Sequence, residues 1–178
     1  MINKLITLIF LMFISFGYSQ DWNQKKNQTK VVFKIKNFGL TVDGDFSSVV
    51  IKTNFDASNL KQSYITATIP VKSISTGNKS RDKHLLKKDY FNESNFKNIT
   101  LKSTKISKNV DGIFILYADL TIKGKVEKVE IPMQISKIDS TLSIKANFQI
   151  NRKIFNVGGG SFILSKTVKI QVTYSGTK

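Results

Sequence analysis

Reactive side chains are sparse in this chain, and they are densest at one place. Ser80-Arg81-Asp82-Lys83-His84-Leu85 puts a carboxylate two residues before the only histidine. Such a pair would suit a hydrolase in which Asp82 orients His84 as general base. No serine or cysteine nucleophile signature accompanies it. The simpler reading is an ordered segment tied by hydrogen bonds of Arg81 or Asp82, with Leu85 as an apolar anchor. The chain has no cysteine, which excludes disulfide scaffolds, cysteine-ligated metals and thiol catalysis. A single histidine excludes multi-histidine metal sites. Asp43, Asp45, Asp56, Asp111 and Asp119 are scattered without calcium-loop spacing. Gly158-Gly159-Gly160 lacks the lysine and serine of a phosphate loop and reads as a turn, bulge or barrel corner. The expectation is therefore no catalytic set, no metal site and no resident cofactor.

The formal net charge is +16 over 178 residues. So strong a positive balance raises nucleic acid or an anionic surface as partner. The lysines are spread along the chain, whereas a nucleic-acid site would gather them beside exposed aromatics. The reading is a solvated positive surface without nucleic acid. Its functional version is attraction to anionic envelope lipids or polysaccharide, which salt would weaken.

Residues Met1 to Ser19 carry one charge, Lys4, before an apolar run from Leu5 to Phe16. Gly17 and Ser19 are small, as a signal peptidase requires, so cleavage is expected before Gln20. The expected division is a signal peptide, 1–19, and one domain, 20–178. Export makes a nucleic-acid role less fitting and places the protein in the periplasm or outside the cell.

The elements that must hold these groups read as strands. Period-two alternation recurs along almost the whole domain. Val31, Phe33 and Ile35 share one face, with Lys34 and Lys36 on the other. A Phe38-Gly39 turn follows, then Leu40 and Val42, a break at Asp43-Gly44-Asp45, and Phe46. Ile65, Ala67, Ile69 and Val71 alternate, as do Ile113, Ile115 and Tyr117 after the Asp111-Gly112 turn. Leu142 to Ile150 is the cleanest run, and Phe162, Leu164, Val168, Ile170 and Val172 complete the series. Residues 78–91 are highly charged, lack β-branched side chains and read as a short helix or ordered loop. With no helical crossovers, the fold class is all-β: an antiparallel barrel or sandwich of eight or nine strands. Spread lysines and the lack of aromatic girdles favour an apolar face turned inward rather than toward lipid. Such an interior suits either an apolar ligand or an ordinary packed core.

Several stretches, taken in order, resemble the YceI-like family. They are Val32-Phe33-Lys34-Ile35-Lys36-Asn37-Phe38-Gly39, Val42-Asp43-Gly44-Asp45-Phe46, and the run Ala67 to Asn78. Arg81-Asp82-Lys83-His84-Leu85, Asp89-Tyr90-Phe91, Ile99 to Ser103, Ala118 to Gly124 and Ile150-Asn151-Arg152-Lys153 complete the set. The likeness covers about residues 30–174. It implies an eight-stranded antiparallel lipocalin-like barrel, with a tunnel that takes an isoprenoid chain such as a quinone or polyprenyl lipid. It also implies no catalytic activity, and homodimers occur in the family. Two departures stand out: Asn37 where histidine is frequent, and Ile154-Phe155-Asn156 where Asp-Phe-Gly is usual. Combined with the alternation, this reading makes Phe33, Ile35, Phe46, Ile65, Ala67, Leu101, Ile115, Phe148 and Ile150 tunnel-lining candidates. Arg81 and His84 are mouth candidates. The competing reading is an envelope interaction protein with a filled core that works through its basic surface.

Overall fold

A computed structural model describes residues 20–178. The expected signal peptide, 1–19, lies outside the described residues. The alternating segments become strands: β1 (Asn23–Gln24), β2 (Lys30–Asn37), β3 (Leu40–Phe46), β4 (Val50–Thr53), β5 (Ile65–Pro70) and β6 (Ile74–Ser75). Then follow one helix, α1 (Lys79–Leu85), and β7 (Asn98–Lys108), β8 (Phe114–Ile122), β9 (Lys125–Ile138), β10 (Thr141–Asn151) and β11 (Leu164–Thr177). Every pairing is antiparallel.

Eleven strands take the place of the expected eight, yet the ring has eight staves. β3 and β4 are two halves of one stave, interrupted at residues 47–49. β5 and β6 are likewise split, by the single 3₁₀ turn Val71–Ser73. The halves pair with each other, Phe46 against Ile74 and Ile51 against Ala67. β7 to β11 follow in chain order, and β11 pairs with β2 to close the ring. The eleventh strand, β1, is a two-residue addition beside β11. Closure removes the sheet edges that would otherwise invite pairing with another chain.

The apolar face points inward. In β8, Phe114, Leu116, Ala118, Leu120 and Ile122 are buried and alternate with half-buried residues. The expected phase of this strand was one residue out: Ile115 and Tyr117 lie on the opposite face. Phe114 lies in the unbroken apolar run Ile113 to Tyr117, so either phase satisfies the alternation; the ladder to β9 decides it. Asp43-Gly44-Asp45 does not break the strand either. Gly44 is a β3 residue paired with Phe33, and a Cβ there would stand 2.3 Å from the Phe33 ring. The glycine leaves room for an aromatic from the neighbouring strand. Phe162, expected on the final strand, precedes it and is fully exposed.

The two ends differ. Trp22 seals one. Its indole N–H donates to the Phe55 carbonyl at 2.9 Å and its backbone N–H to Thr53 at 2.8 Å. The hydroxyl of Tyr174, itself buried, donates to the Trp22 carbonyl at 3.3 Å. Burial, with Asp21 nearby, pushes that hydroxyl up to about 12. The opposite end gathers α1 with its following turns, the β2–β3 turn, the β8–β9 turn and the 152–163 connection.

Candidate functional site

Between the sealed end and the helix-bearing end lies an apolar cavity of about 240 Å³. Its walls come from inward positions of nearly every stave. Phe33, Ile35, Phe46, Ile65, Ala67, Leu101, Phe148 and Ile150, all expected to face inward, border it. Several of them are only half-buried, because the space beside them is open. Ile115 does not border the cavity; its neighbour Leu116 does.

Residues with polar groups border the cavity in few places: Asn37, Thr76, Arg81, Tyr90, Thr100 and Arg152. Both arginines are engaged elsewhere. Arg81 donates from Nε to the Thr76 hydroxyl at 2.7 Å and from Nη2 to the Thr76 carbonyl at 2.8 Å. Asp82 accepts from the Thr76 N–H at 2.9 Å and from its hydroxyl at 2.6 Å. Asn78 caps α1 by accepting from the Arg81 N–H at 3.0 Å. These bonds pin α1 to the end of β6, and Leu85 reaches the cavity from the helix.

His84 does not border the cavity. It lies exposed on α1, with its ring 4.9 Å from that of Tyr90, and Tyr90 is the residue that borders the space. Residues two apart on a helix point to different sides. Asp82 therefore serves Thr76 while His84 faces Tyr90, and the acid–base pair the spacing suggests is not assembled.

Arg152 was not among the candidate ligand residues. It is buried, and all its hydrogen bonds run to backbone carbonyls: Ser165 at 2.8 Å, Val157 at 2.7 Å, Leu164 at 2.7 Å, Ser161 at 3.3 Å, and Gly158. Desolvation lowers the pKa of the guanidinium from its ordinary value. One side chain thus shapes the whole 152–165 connection over the cavity. Gly158, with φ +59°, lies against Tyr90 and Arg152, so a side chain there would meet both. The glycine triplet is thus part of a long connection folded around a cation. Asn151-Arg152 was visible as a motif, but nothing in the sequence signalled that carbonyls rather than a ligand would take the charge.

Such a site can hold an apolar group by area and shape, with few directional bonds. Among the described residues, no cluster of three or more histidine, cysteine or acidic side chains is placed to hold a metal ion.

An eight-staved antiparallel barrel around an apolar cavity, closed at one end, defines a lipocalin-like protein. More narrowly, the chain belongs to the YceI-like family, whose domain matches residues 22–175. It is 25% identical over 155 residues to a UPF0312 protein of Yersinia enterocolitica, covering 83% of this chain and 80% of the relative. The crystal structure of Burkholderia cenocepacia BcnA superposes with a TM-score of 0.83 at 25% identity, covering 87% of this chain and all of BcnA. A domain from Saccharophagus degradans described as polyisoprenoid-binding shares the fold, with a TM-score of 0.68 at 10% identity. That match covers 88% of this chain and 98% of the domain.

Proposed function

We propose that this protein is an exported carrier that holds an isoprenoid chain, such as a quinone or polyprenyl lipid, inside its barrel and performs no catalysis. The observation that carries the reading is the cavity: about 240 Å³ of space walled almost wholly by aliphatic and aromatic side chains. Each buried CH₂ contributes about 0.8 kcal/mol, so a branched hydrocarbon chain binds there without a polar anchor. The polyisoprenoid-binding description of the Saccharophagus domain supports the same ligand class. A filled barrel acting only through its basic surface would have no such cavity. Transport, storage and protection of the lipid from oxidation are all served by this arrangement, and the signal-like residues 1–19 support a periplasmic or secreted location.

Organic extraction of the purified protein followed by mass spectrometry tests the reading. The expected result is a co-purifying prenyl lipid. A preparation that yields no lipid and fails to bind a fluorescent prenyl probe would sink it. Ala67 sits between Ile51 and Leu101 on the cavity wall. Ala67→Trp is expected to expel the chain at a stability cost of about 1–3 kcal/mol.

A further inference from the structure

Phe38, Leu40, Phe162 and Ile163 form an exposed apolar lip at the helix-bearing end of the barrel. The first two flank the tip of the β2–β3 turn, and the last two lie beside them. The Phe38 N–H donates to the Ile163 carbonyl at 3.1 Å, and Leu164 pairs with Asn37. Their fractional exposures are 72%, 74%, 100% and 47%. Asn37 and Leu164, directly behind the lip, border the cavity.

Phe38 occupies a left-handed conformation, φ +51°, followed by Gly39 at +78°. A two-residue turn of this kind ordinarily takes asparagine or aspartate first, because a bulky side chain is strained there. A strained and exposed phenylalanine contributes nothing to the fold that asparagine would not contribute better. The strain at this exposed position directs attention to a contact outside the chain.

The elements that build this end carry lysines: Lys36 on β2, Lys79 and Lys83 on α1, Lys153 in the 152–163 connection and Lys166 at the start of β11. All five are exposed. Among the described residues the ion pairs are Lys34–Asp43 and Lys97–Glu93, so none of the five is in one. Of the acids at this end, Asp82 accepts from Thr76 and Glu93 pairs with Lys97, while Asp89 is exposed.

We propose that this lip docks on an anionic lipid bilayer, inserting Phe38 and Phe162 while the lysines of this end meet the headgroups. The combination of apolar tip and basic rim is that of interfacial membrane anchors. A second copy of the chain fits less well, because a symmetric contact through the lip would press two sets of lysines together. The proposal rests on the carrier reading in one respect: an isoprenoid chain has almost no water solubility, so it must enter from a lipid phase, and the lip stands beside the cavity.

Vesicle flotation with the purified protein tests it, using phosphatidylcholine vesicles with and without phosphatidylglycerol. Binding is expected on the anionic vesicles alone and is expected to fall at high salt. Phe38→Asn with Phe162→Ser is expected to weaken it by at least about tenfold, through lost apolar burial. Asparagine suits the turn, so this variant should melt no lower than the parent. Lys79→Glu with Lys83→Glu provides a second variant and should also lose binding. Parent protein that ignores anionic vesicles, or a phenylalanine variant that binds as the parent does, would overturn the proposal. So would a phenylalanine variant that converts a dimer to a monomer with vesicle binding unchanged. Extraction of the same preparations reads the cavity separately. Lipid-filled protein that fails to float would defeat the docking surface alone, and empty protein that floats but binds no fluorescent prenyl probe would defeat the carrier reading alone.

Discussion

At the scale of single residues, the charged side chains at the cavity are held by the chain's own hydrogen bonds. Arg152 is the strongest case. A buried cation that satisfies five carbonyl groups holds the connection over the cavity, and its removal strands those carbonyls. Arg152→Met is expected to destabilise the protein by about 3–5 kcal/mol in urea unfolding. Tyr174 gives a pH dependence. Its hydroxyl titrates near 10 in the unfolded chain and is pushed up to about 12 in the fold. Between these values the folded state binds the extra proton, so stability is intact below pH 10 and falls as pH rises toward 12. Thermal melts across that window are expected to show the decline, and Tyr174→Phe is expected to reduce it to the part that Tyr64 contributes, whose hydroxyl the hydrogen bond to Asp21 also pushes up to about 12.

Among the elements, the β2–β3 hairpin shows how a strand is tuned for a cavity. Gly44 yields its side-chain volume to Phe33, which then packs 5.7 Å from Phe46 and borders the open space. Gly44→Ala is expected to push Phe33 aside and cost about 1–3 kcal/mol, measurable as a lowered denaturation midpoint. Glycine inside an alternating run reads as a break when only the strand's own residues are considered. The partner strand supplies the reason for it. β8 carries the same lesson. Six of its nine residues are apolar, so Ile115 and Leu116 compete for the inner face, and pairing with β9 gives it to Leu116. The alternation of β2 and β10, where lysine, asparagine or glutamine marks the outer face, left no such ambiguity. Phe33, Ile35, Phe148 and Ile150 were legible for that reason.

For the whole molecule, the formal charge is +16, all but the Lys4 charge falling in the barrel domain, with few compensating ion pairs among the described residues. Such a surface repels itself. Raising ionic strength from about 0.01 M to about 0.15 M shortens the Debye length from roughly 30 Å to about 8 Å. The melting temperature is expected to rise over that range, which calorimetry would read. The charge was visible from the outset, but its arrangement was not. The lysines at the lip end come from β2, α1, the 152–163 connection and β11, far apart in the chain and carried to one end only when the barrel closes.

The sequence by itself determined the fold class, the inward apolar face of most strands, the interruption of the strands at residues 78–91 and the absence of thiol chemistry. These follow from local periodicity and composition, which each segment carries alone. Tertiary structure decided the rest: the splitting of two staves, the phase of β8, the sealing of one end by Trp22, and the capture of Arg152 by carbonyls. It also decided that the interior stays open, since a packed core and a binding cavity share one alternation. They differ only in whether side chains from opposite walls meet, and that distance is fixed when the ring closes.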